Sequence, residues 1–238
     1  MKFYATSDLH LDIHGIRRDF WKDFDQDAVL IIAGDISNSL SEMKYVENVL
    51  CKHFKSVIFV AGNHEWYSHR NISYKKNIQT FRKESQSNPR VIKNPPLPRL
   101  KAHSERIDNL FFLNNECLKL DGCTIFGGTL WFPIHTFSEE LVSQYSKLMN
   151  DTKFINHKII EEQYKAFINN CPEHVDLVIS HHLPNAEAFA RVEDASNEYA
   201  PFYHANLDNE FIARARFWIS GLQHESVEKT GRWKNSVY

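Results

Sequence analysis

Short runs of apolar residues alternate along the chain with longer stretches of mixed polar and apolar residues. The apolar runs predict β-strands at Lys2–Thr6, Ala28–Ala33, Ser56–Ala61, Leu110–Leu113, Thr124–Gly128, Val175–Ser180 and Arg216–Ser220. The mixed stretches predict amphipathic helices at Ser41–His53, Ser73–Glu84, Ser138–Leu148 and Asn156–Asn170. Strands that alternate with helices indicate β-α-β units around a mostly buried sheet, so the expected fold class is α/β.

The segment from Ser85 to Arg99 interrupts this alternation with four prolines. Proline is poorly tolerated inside helices and inner strands, so we expect an exposed loop here. The loop is too short to mark a domain boundary, and no fixed-period repeat divides the sequence. We therefore predict a single domain over residues 1–238.

Composition narrows the class of protein further. The chain has 238 residues, 42% hydrophobic and 24% charged, which is typical of a globular protein. Its formal net charge of -2 creates no overall field that would attract nucleic acid or an anionic membrane. No apolar run approaches the roughly 20 residues that span a bilayer, and an acidic residue at Asp8 precedes any signal-peptide hydrophobic region. These features predict a cytoplasmic location without membrane association.

Residues able to bind metals come directly after several predicted strands. They are Asp8, His10, Asp35, Asn63, His64 and His181. Each segment alone also fits an ordinary turn, strand exit or helix cap. Because the carboxyl ends of parallel strands share one edge of a sheet, these residues are expected to converge. Oxygen and imidazole ligands without cysteine suit Mn²⁺, Fe or Zn²⁺.

The residue types suggest a division of roles within such a site. Asp8 and His10 are two positions apart and point the same way in an extended segment, so both can bind one ion. The two oxygens of Asp35 make it the natural bridge between two cations. Asn63 is suited to the second ion through a neutral carbonyl, and His64 to protonating a leaving group.

The order and spacing of these motifs resemble those of the calcineurin-like metallophosphoesterases. The matching segments are Asp8-Leu9-His10, Gly34-Asp35, Gly62-Asn63-His64-Glu65 and Ser180-His181-His182. Two further segments, Gly127-Gly128-Thr129-Leu130-Trp131 and Met149-Asn150-Asp151, resemble a bacterial and phage subgroup of that family. The resemblance extends from Lys2 to about Ser226 and implies a four-layer αββα sandwich with a dinuclear metal centre between the sheets.

The resemblance also implies a role for each matched residue. Asp8, His10 and His224 would bind the first metal, and Asp35 would bridge the two metals. Asn63 and His181 would bind the second metal, and His64 would be the catalytic histidine. The implied reaction is hydrolysis of a phosphate mono- or diester by a metal-activated water, with Mn²⁺ as the first candidate metal and Fe or Zn²⁺ as alternatives.

The final motif departs from the family pattern. Relatives have Gly-His-x-His where this chain has Gly221-Leu222-Gln223-His224, so one metal-binding histidine is replaced by Leu222. Loss of an imidazole ligand is expected to weaken the second site by at least about 10–100-fold. After this motif, either a β-hairpin around Gly231 replaces a strand found in relatives or the C-terminal part is shortened.

Three hypotheses of function remain open at this stage. The favoured one is a hydrolase acting on a phosphate ester. The second is a binding module or scaffold that keeps the fold without catalysis, because of Leu222. The third is a nuclease, which the balanced charge of the chain does not favour. The sequence specifies neither the substrate nor the oligomeric state.

Overall fold

The computed structural model describes residues 2–13, 15, 18–38, 42–67, 97–189, 191, 193–223, 228–229 and 236–237. Its first sheet contains four parallel strands in the order β1-β2-β3-β4. These strands are β1 (Phe3–Thr6), β2 (Val29–Ala33), β3 (Ser56–Val60) and β4 (Leu110–Leu113). Within the described residues, the sheet agrees closely with the predicted β-α-β units.

The second sheet is mixed and has the strand order β5-β6-β7-β8-β10-β9. Its strands are β5 (Glu116–Leu120), β6 (Cys123–Gly128), β7 (Val175–Ser180), β8 (Ala215–Ile219), β9 (Glu228–Lys229) and β10 (Ser236–Val237). The strands from β6 to β8 are parallel, as are β8 and β10, whereas β5 and β9 run antiparallel to their neighbours. The antiparallel pair β9 and β10 flanks the position of the hairpin predicted around Gly231.

In the part of the chain that the structure describes, five helical segments pack around the two sheets. Segment α1 (residues 43–53) consists of helical turns at Met43–Tyr45 and Cys51–His53 joined by a π-helical turn at Val46–Leu50. The others are α2 (Leu97–Ser104), α3 (Glu139–Leu148), α4 (His157–Asn170) and α5 (Asn209–Ile212). Ser138 and Asn156 cap α3 and α4 through their side-chain oxygens, which explains why both helices begin where the sequence predicted.

Short 3-10 turns make up much of the remaining chain. They are at Arg18–Trp21, His64–Trp66, Ile134–Thr136, Asn150–Lys153, Ala186–Ala188, Asp194–Ser196 and Ala200–Phe202. None of the helices in the described ranges combines the length and apolar composition needed to cross a lipid bilayer.

The core explains the layered arrangement. Alternate residues of β2 face opposite sides of the sheet, so Ile31 packs between the sheets with Ile58 and Ile179, whereas Leu30 packs against the helical layer with Leu50. On the outer face of the second sheet, Phe126, Phe167 and Trp218 form a separate cluster with α4. Helices therefore cover both outer faces of two packed sheets, and the predicted αββα sandwich is confirmed.

Two predictions of local structure need correction. Part of the predicted loop Ser85–Arg99 is helical, because α2 begins at Leu97, while residues 85–96 lie outside the described range. Pro98 is compatible with this because proline is tolerated in the first turn of a helix. Strand β5 was not predicted, because the exposed residues Cys117 and Lys119 alternate with partly buried ones and interrupt the apolar run that is typical of an inner strand. The predicted helix Ser73–Glu84 lies outside the described residues.

Candidate metal centre

Four of the predicted segments meet at the carboxyl edges of the two sheets. Asp8, Asp35 and Asn63 follow β1, β2 and β3, and His181 follows β7 of the second sheet. Backbone hydrogen bonds tie the first two loops together, since the Asp8 amide donates to the Gly34 carbonyl at 3.0 Å and the His10 amide donates to the Asp35 carbonyl at 3.0 Å. The site is therefore built where the two sheets meet, as the positions after the strands predicted.

The backbone at this edge is strained. Asp8, His10 and Asp35 have φ angles of 54°, 40° and 56°, in the left-handed region that residues other than glycine occupy infrequently. Such conformations cost on the order of 1–3 kcal/mol each and persist only where surrounding contacts enforce them. Their concentration in three residues of one cluster marks this edge as a candidate functional site.

Glycines allow the polar side chains to approach the backbone. A Cβ atom on Gly62 would lie 2.0 Å from Oδ1 of Asp35, and one on Gly34 would lie 2.5 Å from Nδ1 of His181. Either substitution would displace a side chain of the cluster. Glycine at these two positions is therefore required by the packing of the site itself.

Asp35 is the centre of the cluster, and its side chain is 2% exposed. Its Oδ2 atom lies 3.4 Å from Nε2 of His181, 3.7 Å from Nε2 of His64 and 3.8 Å from Nε2 of His10. Two groups of ligand atoms, each within 4.8 Å of one another, share this residue: His10 with Asp35 and His64, and Asp8 with Asp35 and His181. Four of the other candidates thus come together around the carboxylate of Asp35.

The ring of His181 lies between a backbone carbonyl and two side-chain oxygens. The ring atom Nδ1 of His181 lies 2.8 Å from the Ala33 carbonyl, which only accepts, so Nδ1 carries a hydrogen in this contact. The opposite atom, Nε2, faces Oδ1 of Asn63 at 3.0 Å and Oδ2 of Asp35 at 3.4 Å. Without a metal, a proton on Nε2 joins it to these oxygens. A cation could take the place of that proton, so these atoms fit a bound cation.

The amide of Asn63 is oriented by Asp151, which is 1% exposed. Its Nδ2 donates to Oδ1 of Asp151 at 2.9 Å and contacts the Tyr67 hydroxyl at 3.0 Å. Tyr67 also donates a short hydrogen bond to the same Asp151 oxygen. With the amide nitrogen committed to this cluster, the Asn63 carbonyl oxygen must face His181.

Glu65 holds the backbone of the two loops. Its buried carboxylate accepts hydrogen bonds from the amides of Gly62 at 2.7 Å, Asp35 at 2.9 Å and Ser37 at 3.0 Å. Burial and the nearby negative charge of Asp35 raise the pKa of Glu65 to about 7, although the amide hydrogen bonds act in the opposite direction. This residue positions Asp35 through its backbone.

The charges in the cluster stabilise one another. Burial by itself raises the pKa of the Asp35 carboxyl, but the charge and hydrogen bond of His181 and the charge of His64 outweigh it and lower the pKa. Burial likewise lowers the pKa of His181, and the charge of Asp35 reverses this effect and raises it to about 10. Asp35 is therefore an anion that attracts positive charge to this edge.

His64 differs from His10 and His181, the other histidines around Asp35, because its side chain is 24% exposed. Its Nδ1 lies 2.8 Å from Oδ1 of Asn38, whose own Nδ2 donates to Asp12 at 2.8 Å. Since Asn38 offers its oxygen to the ring, Nδ1 of His64 donates and Nε2 is left facing Asp35. This ring is held in one orientation yet remains accessible.

His182, which follows His181, has a different environment. Its ring is buried against Trp131, with the ring centres 4.8 Å apart. Burial, together with the neighbouring charge of His181, lowers the pKa of His182 to about 3, so the ring is neutral at neutral pH. This is the environment of a packing residue.

A cavity of about 430 Å³ opens onto the cluster. Its lining residues are Asp35, Asn63, His64, Tyr67, Leu148, Met149, Asn150, Asp151, Phe189, Asp194, Asn197, Tyr199, Tyr203, Leu222 and Gln223. The segment Asn185–Pro201 contributes four of them: Phe189, Asp194, Asn197 and Tyr199.

Six of the seven site residues predicted from the sequence lie at this edge. The structure brings together Asp8, His10, Asp35, Asn63, His64 and His181, whereas His224 lies outside the described residues. Leu222 lines the cavity, and its amide donates to Oδ2 of Asp8 at 2.9 Å.

Sequence reasoning missed the supporting roles of Asn38, Glu65, Tyr67 and Asp151. The segment containing Asp151 was noted only as part of a subgroup motif. Its partner Asn63 lies 88 positions away, and no local pattern connects the two.

Comparisons with known proteins agree with this architecture. The sequence profile of the family described as calcineurin-like phosphoesterase matches residues 1–221, and the chain belongs to this family. A relative from Acanthamoeba polyphaga mimivirus, called uncharacterized protein L509, is 26% identical over 206 residues, covering 75% of this chain and 66% of the relative. The alignment thus spans slightly less than two thirds of that relative's length.

A solved structure provides the comparison of fold. The phosphopantetheinyl hydrolase of Mycobacterium tuberculosis superposes with a TM-score of 0.70 at 14% sequence identity, covering 99% of this chain and 87% of the other. At this level of identity the likeness concerns the fold. The family also implies divalent metal ions, for which the converging ligands of this edge are the candidate site.

Proposed function

We propose that this protein is a metal-dependent phosphoesterase that hydrolyses a phosphate mono- or diester at a dinuclear centre. The observation that carries the proposal is the position of Asp35, whose carboxylate belongs to both groups of converging ligand atoms. A carboxylate shared in this way is the bridging element of two-metal sites, where the ions lie about 3.5–4 Å apart.

Each side chain has a role that follows from its surroundings. Asp8 and His10 would hold one ion together with Asp35, and His224 would complete this set. Asn63 and His181 would hold the other ion with Asp35. The metals would supply Lewis-acid stabilisation of charge on the phosphoryl oxygens and activation of a water molecule.

His64 would serve the leaving group. Hydrolysis forms a bond between a water oxygen and phosphorus and breaks the bond from phosphorus to the ester oxygen, which must gain a proton. Asn38 accepts the Nδ1 hydrogen of His64, so Nε2 is the ring atom available on the side of Asp35 and the cavity. A protonated Nε2 would stabilise the departing oxygen and give it this proton.

The name of the structural neighbour supports the reaction class. A phosphopantetheinyl hydrolase cleaves a bond to phosphate, and this chain shares its fold. Manganese is the first metal to test, because the ligands are oxygen and imidazole atoms, and iron and zinc are the alternatives.

The direct test is hydrolysis of p-nitrophenyl phosphate and bis-p-nitrophenyl phosphate across a Mn²⁺ titration, with metal content counted on the same sample. We expect turnover that rises at high Mn²⁺ as a weakened second site fills. Turnover that reaches its maximum with a single bound ion per chain would contradict the dinuclear proposal.

A second candidate is a binding protein that has lost catalysis. The observation in its favour is Leu222, which lines the cavity at the position of a metal-binding histidine in relatives. Leucine cannot coordinate a metal, so the second ion would rely on Asp35, Asn63, His181 and solvent. Absence of turnover at saturating metal, with the fold intact, would favour this candidate.

A further inference from the structure

The cavity beside the metal centre has an aromatic wall, which we define as Phe189, Tyr199 and Tyr203. All three residues belong to the connection between β7 and α5. They line the same cavity as Asp35, Asn63 and His64. Phe189 is buried, so a molecule whose phosphate reaches the metal centre meets the partly buried rings of Tyr199 and Tyr203.

One residue of the aromatic wall, Phe189, belongs to a small packed core. Phe189 is buried with Leu183, Ala188 and Ala200 in a small separate core, and its ring packs edge-on against His204 with centres 6.0 Å apart. The ends of the connection are joined by a bridge between Leu183 and His204. The wall is thus preformed, which lowers the entropic cost of binding a flat ligand.

Tyr199 and Tyr203 are held within this connection. The Tyr199 amide donates to Oδ1 of Asn197 at 2.9 Å, and the Tyr203 amide donates to the Ala200 carbonyl at 3.0 Å. Both tyrosine side chains are only partly buried, so they keep surface available to a ligand. Tyrosine is well suited to this purpose because it offers a large apolar face with few rotatable bonds.

The charges that line the cavity select against extended anions. Apart from His64, the charged side chains among the described lining residues are the carboxylates Asp35, Asp151 and Asp194. Two cations would offset the charge of Asp35, but Asp194 lies among the residues of the aromatic-wall connection. A chain of phosphates that extended from the metal centre along this connection would bring further negative charge towards Asp194, which is unfavourable.

We propose that the substrate is a small ester with a single phosphate whose other part is an uncharged or cationic aromatic ring system that stacks on Tyr199 and Tyr203. This inference rests on the proposed function, since it places the phosphate at the metal centre. A volume of about 430 Å³ suits one phosphate with one ring system. Polyphosphates and nucleic-acid strands are excluded as preferred substrates.

The test uses two monoesters, phenyl phosphate and methyl phosphate, of which only the first carries a ring, and follows the release of inorganic phosphate by the Mn²⁺-loaded full chain. Tyr199→Leu and Tyr203→Leu are expected to raise KM for phenyl phosphate by about 3- to 10-fold and to leave KM for methyl phosphate unchanged. Tyr199→Phe keeps the ring, so it is expected to retain the wild-type ratio of the two KM values. Phe20→Leu, at a ring that is 57% exposed and outside the cavity lining, is the matched control.

A binding measurement separates this inference from the proposed function. Calorimetric titration with phenyl phosphate and methyl phosphate is expected to show at least about fivefold tighter binding of the phenyl compound, and this preference should disappear in Tyr199→Leu. If the wild-type protein binds phenyl phosphate more tightly but hydrolyses neither compound, the proposed function fails and the proposed class of aromatic ligand holds. Hydrolysis with equal binding of the two compounds would overturn the ligand class alone.

Competition by nucleic acid tests whether the cavity disfavours extended anions. A single-stranded DNA oligonucleotide at low salt should not compete with phenyl phosphate. Asp194→Asn should increase this competition, whereas Glu193→Gln at the exposed neighbouring position should not. Strong, salt-dependent competition by the oligonucleotide in the wild-type protein would overturn the inference and favour a nuclease.

Discussion

The carboxylate of Asp151 lies 2.9 Å from the amide nitrogen of Asn63, and this contact fixes which atom of Asn63 faces the candidate metal centre. The contact is fully buried and includes the hydroxyl of Tyr67. It connects a turn after α3 with the end of β3. An asparagine whose amide is fixed in this way presents its oxygen without having to select an orientation when a ligand binds.

Asp151→Asn is therefore expected to weaken the second metal site. The substitution removes the negative charge that attracts the Asn63 amide nitrogen, so the amide can rotate and the carbonyl oxygen is less often in place. We expect about 10- to 100-fold weaker Mn²⁺ binding at one site, measured by calorimetry, with the other site little changed. Asp121→Asn, at an exposed turn, is the control, and equal binding by both variants would contradict this role.

His64→Ala is expected to reduce turnover and leave metal content intact. The His64 ring is the most exposed of the histidines around Asp35, and its Nδ1 is tied to Asn38. Loss of a positioned proton donor typically costs about 100- to 10,000-fold in rate. His135→Ala, which removes an exposed histidine paired with Glu161, serves as the control. Loss of one equivalent of Mn²⁺ in His64→Ala would instead indicate a metal ligand.

Leu222→His is expected to tighten the second site. Leu222 has a φ angle of 74°, in a region where histidine is more frequent than branched apolar residues, so the backbone should accept the change. The new imidazole would join Asp35 and Asn63 among the residues that line the cavity. We expect the Mn²⁺ concentration for half-maximal activity to fall by at least about tenfold. An unchanged metal stoichiometry and affinity would argue against placing the lost ligand at this position.

The stability of the fold should depend on pH through His204. Burial lowers the pKa of His204 to about 4 from an ordinary value of 6.5. Because the folded state holds this ring neutral, its contribution is complete above pH 6.5 and is lost as the pH falls toward 4, by about 1–3 kcal/mol. In His204→Gln, the free energy of unfolding should therefore fall less over this range than in the wild type.

Exposed His174→Gln is the control for this titration. It should show the same dependence of unfolding free energy on pH as the wild-type protein in urea denaturation. If His204→Gln also retains the full wild-type dependence, the lowered pKa of His204 is wrong.

Much of the fold could be predicted because its inner strands are continuous apolar runs. Strand β2 is buried at all five positions and has the composition of a parallel strand covered on both faces. Strand β5 escaped prediction because Glu116 and Lys119 give an edge strand the polarity of a loop. Helix α2 was not predicted, because Pro98 was grouped with the prolines of the segment before it. Proline at this position is compatible with the first turn of a helix.

The metal-binding candidates could be predicted because each of them directly follows a strand. Their supporting residues could not, since the contacts that define them are distant in sequence. In the sequence, Asn38 resembles an ordinary turn residue. Its role follows from the structure, where its Oδ1 lies 2.8 Å from Nδ1 of His64. Glu65 resembles a helix-cap acid until its carboxylate is seen to hold the amides of Gly62, Asp35 and Ser37.

The measurement that tests the central claim most directly is electron paramagnetic resonance of the Mn²⁺-titrated protein beside Asp35→Asn. We expect a spin-coupled pair of Mn²⁺ ions in the wild-type chain at high metal, because Asp35 would bridge the two ions. In the variant we expect loss of that coupling together with loss of activity. Only isolated Mn²⁺ signals at saturation in the wild type, or full activity in Asp35→Asn, would contradict it.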